Sequence, residues 1–234
     1  MHHRSFIQFA SAAIALGIVG FVTPAQAATF GTEGIQFDKT TRASFTFLNT
    51  QGAYTSSLRV VEDLGSGLFR DLGVTLFSET RQSDAGGAND WLGNCGAGRT
   101  VSNCTTSFTF EAGVKYAFLL DSGSNGRVFS TSALNTQFGR SQQAKFFDDA
   151  SSLPTQTGQY EMTSFLRTQP GLSADPYAAP VLIAFDDRGA GNDVDFNDFK
   201  VTMSAEAVPE PTALMGLGLV AGTIALRRRK AIAE

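Results

Sequence analysis

The chain has 234 residues, 42% of them apolar and 11% aromatic, and a formal charge of −4. Between Ala28 and Val208 there are 13 Lys and Arg against 20 Asp and Glu, a net charge of −7, which disfavours phosphate-backbone recognition and with it nucleic acid as a partner. Both histidines, His2 and His3, precede Ala28, so this body has no Ser-His-Asp or Cys-His nucleophile system and no histidine-bound zinc.

The first 27 residues read as an export address. Met1 to Arg4 is a short basic start, Phe6 to Val22 is apolar, and Ala25-Gln26-Ala27 offers the small residues that a signal peptidase reads. Cleavage is predicted after Ala27. The competing reading is a retained membrane anchor, against which stand the short apolar core and Pro24.

The body, residues 28–207, has room for one core. Short runs with period-2 alternation or β-branched and aromatic enrichment predict strands at Ser44–Leu48, Leu58–Glu62, Gly73–Glu79, Thr106–Glu111, Val114–Asp121, Gly126–Thr131, Gln143–Asp148, Gln159–Phe165, Pro180–Phe185 and Asp198–Ala205. Gly, Asn, Asp and Ser clusters separate them, and no long amphipathic helix is evident. The expected fold is all-β, an antiparallel, jelly-roll-like β-sandwich. The 20 phenylalanines fit either its core or an aromatic sugar-binding platform, and core packing is preferred because platforms favour Trp and Tyr. The single tryptophan, Trp91, would be a contact residue if exposed and a lid over the sandwich edge if buried. Cys95 and Cys104 lie in a Gly-Asn-rich loop of an exported chain, where a disulfide is expected. A reactive pair is the other possibility.

The stretch Asp186 to Asp198 carries five carboxylates, Asp186, Asp187, Asp193, Asp195 and Asp198, against Arg188 alone. Two carboxylates about 5 Å apart repel by roughly 3 kcal/mol at an effective dielectric near 20, so such a loop calls for water or a bound cation. The apolar run Val181 to Phe185 delivers Asp186 and Asp187 at its end. Gly189 and Gly191 permit a fold back, and Asp193, Asp195 and Asn197, at alternate positions, would point one way in an extended segment. Phe199, Val201 and Met203 then resume a strand. Hard oxygen ligands and glycines suit Ca2+. Asp-x-Asp-x-Asn also opens an EF-hand, but the sixth position from Asp193 is Asp198 instead of Gly and the twelfth is Ser204 instead of Glu, so that loop is rejected. Two other readings stay open: turn capping of backbone amides by Asp and Asn, and catalytic acids.

Phe185-Asp186-Asp187, a glycine-containing spacer and Asn192-Asp193-Val194-Asp195-Phe196-Asn197-Asp198-Phe199 resemble the C-terminal signature of the bacterial domain of unknown function 4114. Its members show Phe-Glu-Asp, then Asp-x-Asp-Tyr/Phe-Asn-Asp and a hydrophobic strand; Asp186 stands where Glu is usual. The likeness extends over residues 110–205 and is strongest from Phe185 to Val201. It implies an extracellular β-rich module that binds calcium, with no established catalysis.

Residues 208–234 form a second address. Val208-Pro209-Glu210-Pro211 is followed by an apolar run, Thr212 to Leu226, and by Arg227-Arg228-Arg229-Lys230. As a helix, that run would span about 22 Å, short of the roughly 30 Å of a bilayer core, with the arginines placing the C-terminus in the cytoplasm. The Pro209-Glu210-Pro211 triplet, the glycine-rich apolar run and Arg227, Arg228 and Arg229 closely resemble the PEP-CTERM sorting signal of Gram-negative bacteria. The resemblance implies transient inner-membrane anchoring, cleavage by an exosortase near the triplet, and delivery to the cell surface or an exopolysaccharide matrix. An ordinary single-span anchor is the competing reading.

Three functions are therefore weighed. The first is a non-enzymatic envelope or matrix protein with a calcium-binding acidic loop. The second is a calcium-dependent carbohydrate-binding or adhesion module for exopolysaccharide or envelope glycan. The third, least favoured, is a glycosidase using a carboxylate pair.

Overall fold

A computed structural model describes residues 28–52, 54–81, 92–150, 159–188 and 193–209. In chain order the strands are β1 (Ala28–Gly31), β2 (Gly34–Phe37), β3 (Thr41–Asn49), β4 (Ser57–Gly65), β5 (Leu68–Ser78), β6 (Thr105–Phe110), β7 (Lys115–Asp121), β8 (Arg127–Phe129), β9 (Ala144–Phe147), β10 (Val181–Phe185) and β11 (Phe199–Ala207), with helix α1 (Gln159–Thr168) between β9 and β10. They form two antiparallel sheets. One has the order β1-β2-β7-β4-β5 with β8 added to β7, the other β6-β3-β11-β10-β9. The chain is an all-β sandwich.

Alternation builds the interior. Along β3, Ala43, Phe45 and Phe47 are buried while Arg42, Ser44 and Thr46 face outward. The core is aromatic: Phe30, Phe37, Phe45, Phe110, Phe118, Phe146, Phe185 and Phe199 are all fully buried. Edge-to-face contacts join the two sheets, Phe45 to Phe118 at 5.7 Å and Phe30 to Phe146 at 5.3 Å between ring centroids. Such pairs contribute about 0.5–1.5 kcal/mol each beyond area burial. These phenylalanines are core and do not form a surface platform.

The segment 169–178 straps one open side of the sandwich. The Phe146 N–H donates to the Gly171 carbonyl (2.9 Å), Thr32 N–H to Leu172 (2.8 Å), Ala174 N–H to Phe30 (3.0 Å) and Ala205 N–H to Pro176 (2.9 Å). Edge strands β1 and β9 thus find backbone partners. A Cβ at Gly31 would stand 2.2 Å from the Leu172 carbonyl oxygen, so only glycine admits the strap here.

Helix α1 corrects the strand expected at Gln159–Phe165. Met162 and Leu166, four residues apart and buried, pack with Phe147, Leu182, Ala184 and Phe196 on the outer face of the second sheet, with Phe165 partly buried beside them. A ten-residue helix makes fewer than three turns, too few to separate period 3.6 from period 2. Its C-terminal carbonyls are gathered by the buried Lys145, whose Nζ donates to Leu166 (2.5 Å), Arg167 (3.4 Å) and Gln169 (2.6 Å). Strands β1 and β2 are not among the expected elements, β3 and β4 extend past both expected ends, and β5 begins at Leu68, ahead of its expected start at Gly73.

Cys95 and Cys104 are joined in a disulfide with Cα atoms 5.1 Å apart. The ring they close pairs with the sheets through Val101, opposite Glu79, and through the Thr80 N–H bond to the Thr100 carbonyl (2.8 Å), while just ahead of the ring Thr50 and Gly93 exchange N–H···O bonds of 3.1 and 2.7 Å. Trp91, the signal peptide and residues from Glu210 onward lie outside the described residues. Among the described residues no helix is long and apolar enough to cross a membrane.

Candidate metal centre

The acidic stretch connects β10 to β11, two neighbouring strands in register from Phe185↔Phe199 to Val181↔Met203. All of β10 is buried, which agrees with its continuous apolar run. Its end is held by its neighbours: Asp186 N–H donates to the Gln143 carbonyl (3.1 Å) and Asp198 N–H to that of Phe185 (3.1 Å). The far wall is the end of β3. Thr50 Oγ1 donates to the Asp198 carbonyl, as do the N–H groups of Gln51 and Gly52 at 3.3 Å each. A Cβ at Gly52 would lie 2.6 Å from Asp187 Oδ2 and 3.3 Å from Asp198 Cβ, so a larger residue here would displace the acidic side chains.

Within this frame Asp186, Asp187, Asp195, Asn197 and Asp198 are brought inward, each at most 9% exposed. Asp193 is not. It lies exposed at the rim, where the Arg167 guanidinium of α1 approaches Asp193 and Asp195 at 4.0 Å each. The alternate-position expectation fails because Val194 and Phe196 both take φ of +58°. Two left-handed residues, one of them β-branched, break the extended geometry and turn Asp195, Phe196 and Asn197 all toward the interior. Backbone strain of this kind concentrates at binding loops. Gly189 and Gly191, expected to make the fold back, lie outside the described residues.

Turn capping accounts for part of the carboxylate chemistry. Asp198 Oδ2 accepts the Asp187 N–H (2.6 Å), Asp186 Oδ1 the Arg188 N–H (2.7 Å) and Asp195 Oδ1 the Asn197 N–H (3.2 Å). Asn197 Nδ2 donates to Asp195 Oδ2 (2.5 Å) and to Thr163 Oγ1 of α1 (3.3 Å). Asp186 Oδ2 and Asn197 Oδ1 are buried and have no hydrogen-bond partner among the described residues. An unsatisfied buried polar atom costs about 1–3 kcal/mol, more when charged.

Burial raises the pKa of Asp186 to about 6 against the Arg188 N–H bond, and the charges of Asp193 and Asp187 add to the rise. Asp195 is likewise raised to about 6 by burial, opposed by its bond from Asn197, with Asp193 raising and Arg167 lowering. Asp198 is pushed well up by burial and then by Asp187. A buried cation faces two of them. Lys200, only 2% exposed, is lowered to about 8 by burial, with Asp195 and Asp198 pulling it back up, and its Nζ bonds to Gln51 Oε1 at 3.3 Å.

Local sequence pattern singled out none of Thr50, Gln51, Gly52, Gln143 or Lys200. Alternation with Phe199 and Val201 assigns Lys200 to the solvent face, and only the pairing of β11 with β3, 149 positions apart at Gln51 and Lys200, brings the far wall over it.

As a donor set the site fits a hard cation in chemistry, with buried oxygens of which Asp186 Oδ2 and Asn197 Oδ1 have no partner among the described residues. Among the described residues, however, no three His, Cys, Asp or Glu side chains are close enough together to form a metal cluster.

The model of the PEP-CTERM protein-sorting motif matches residues 207–230. The motif implies an exported, exosortase-processed chain, destined for the surface or the extracellular space. No curated protein and no solved structure matches the chain. The match begins at the last residue of β11, so sandwich and sorting signal abut.

Proposed function

We propose that this is a non-enzymatic protein of the cell envelope or extracellular matrix whose β10–β11 loop takes a calcium ion. Signal peptidase releases it at Ala27, the run from Thr212 to Leu226 holds it briefly in the inner membrane, and an exosortase then frees it near Pro209-Glu210-Pro211. The observation that carries the metal is the pair of buried oxygens without a partner among the described residues, Asp186 Oδ2 and Asn197 Oδ1, among carboxylates that burial holds above their ordinary pKa. Asp187, Asp195 and Asp198 complete the ligand candidates, with Asp193 at the rim. The resemblance to the domain of unknown function 4114 supports the same ion. Calcium suits it better than magnesium, since it accepts neutral carbonyl oxygens and irregular geometry. Bound there, it would offset like charges and pin β10, β11 and the end of β3 together. Calorimetric titration of the exported body tests this: heat of binding and a higher melting temperature with calcium support it, and the absence of both refutes it.

One observation favours a second reading. Carboxyls raised to about 6 are also what a general acid needs. Glycan hydrolysis abolished by Asp186→Asn, with no calcium effect on the wild type, would favour a glycosidase. A sugar-binding platform has no comparable support: the five most exposed large apolar side chains among the described residues are all aliphatic.

A further inference from the structure

The last strand runs almost directly into the sorting tail. β11 ends at Ala207, Val208 N–H is bonded to the Thr40 carbonyl at 2.9 Å, and Pro209, Glu210 and Pro211 alone separate it from the apolar run that begins at Thr212. Three residues reach at most about 11 Å when fully extended. On the reading that this run enters the inner membrane, the end of the sandwich from which β11 emerges stands close against the lipid surface until the tail is cut.

The pairing shows what else lies at that end. Ala207 is opposite Thr41, and Thr41 is opposite Phe110 at the end of β6. The turn from β6 to β7 is fixed there by the Gly113 N–H bond to the Phe37 carbonyl (2.8 Å), and Lys115, opening β7, pairs with Asp63 at 3.1 Å. Just past Asp63 comes the tip of the β4–β5 hairpin. Gly65, Ser66 and Gly67 all have positive φ, 76°, 55° and 79°, which makes a tight and well-defined turn.

On either side of this turn stand Leu64, 54% exposed, and Leu68, 63% exposed, while Val208 at the end of β11 is 40% exposed. Thus three of the five most exposed large apolar side chains among the described residues share one end of the molecule; the other two are Leu172 in the strap and Val194 in the acidic loop, beyond the opposite end of β11. The core clusters contain neither leucine. Hairpin turns are ordinarily polar, so the fold does not ask for these leucines.

We propose that this end is a docking face for the lipid surface, with Leu64, Leu68 and Val208 resting on the bilayer while the sorting tail is intact. The acidic loop is then held on the far side, open to solvent and to cations. A few aliphatic side chains bind a bilayer weakly by themselves, but the tether raises their effective concentration and cleavage removes it, so the contact is self-releasing. The inference rests on membrane entry by the tail.

The test uses the full chain reconstituted in phosphatidylethanolamine/phosphatidylglycerol vesicles with brominated acyl chains, in a Trp91→Phe background. Leu68→Trp and Val194→Trp each place a reporter at an already exposed position. The expected result is loss of emission for Leu68→Trp and none for Val194→Trp, with the Leu68→Trp loss reversed when the tail is cut. Equal emission from both variants in a chain that resists alkaline extraction would overturn the docking face and leave membrane entry standing. A chain that alkali strips from the vesicles would overturn both.

Discussion

The hairpins β4–β5 and β10–β11 treat charge in opposite ways. In the first, solvent-reached ions meet in pairs of opposite sign, Arg59 with Asp71 at 3.0 Å and Arg70 with Glu62, and the strands close through a turn of two residues. In the second, a thirteen-residue connection carries four aspartates into the interior, with Lys200 as the buried counter-charge and Arg167 at the rim. Paired surface ions are nearly neutral to stability, whereas buried like charges oppose it. A fold that needed only a turn could have repeated the first solution. On the reading proposed above, the second is where stability is given up for a bound cation.

The largest effect expected is the pH dependence of the chelated protein. Asp186 and Asp195 have folded-state pKa values near 6, above the ordinary 3.8, so the folded state holds their protons more tightly than the unfolded chain does. Their contribution is complete below pH 4 and is lost as pH rises through 6, at roughly 3 kcal/mol for each group. Lys200, lowered to about 8, stays protonated in both states across that window and adds no slope. In chelator the melting temperature should fall from pH 4 to pH 7, and millimolar calcium at pH 7 should restore it. A flat profile in chelator would erase the contrast between the hairpins.

Next is the disulfide. Cys95→Ser with Cys104→Ser opens a short ring and should cost about 2.5–3 kcal/mol on the chain-entropy estimate, read from urea unfolding. Because Gly93, bonded to Thr50 next to Gln51 and Gly52, lies only two residues before Cys95, the variant should also bind calcium more weakly. Unchanged affinity would show that the β3 wall is held by the sheet alone.

Lys145→Met should follow at about 2 kcal/mol, since charged hydrogen bonds contribute roughly 1.5–3 kcal/mol and the flexible Met fills much of the space. The ammonium also lies 4.4 Å from the Phe196 ring centroid, at the inward bend of the acidic loop. Hydrogen exchange should therefore rise in α1 and in the loop together. Exchange confined to α1 would show that helix and loop are independent.

These experiments fall on residues of unequal legibility. Asp186, Asp187, Asp195, Asn197 and Asp198 could be picked out as a group because they are close in sequence and their composition is extreme; β10 was plain because five apolar residues in a row admit few other readings. Alternation in β3 likewise located Phe45 and Phe47. What stayed hidden depends on distant partners. Lys145 reads as one polar residue in a strand until α1 lies across it, and Lys200 as a solvent residue until Gln51 reaches it. Asp193 was indistinguishable from Asp195 by spacing. Only the left-handed backbone at Val194 and Phe196 separates rim from interior, and side chains so unsuited to that conformation give no local warning of it.

The smallest effect belongs to the first hairpin. Arg70 has a side chain 65% exposed and meets Glu62 across the strands, so it gains little from Coulomb attraction in water and loses rotamer freedom in making the pair. Arg70→Ala should change stability by under about 1 kcal/mol, and by still less in high salt, where exposed pairs are screened. The informative comparison is its salt response beside that of Asp195→Asn. Salt should scarcely alter the effect of the interior substitution, because a carboxylate 1% exposed has little solvent around it to carry screening ions. If both substitutions respond to salt alike, the acidic loop is open to water, its charges are ordinary surface charges, and the case for a captured cation is lost.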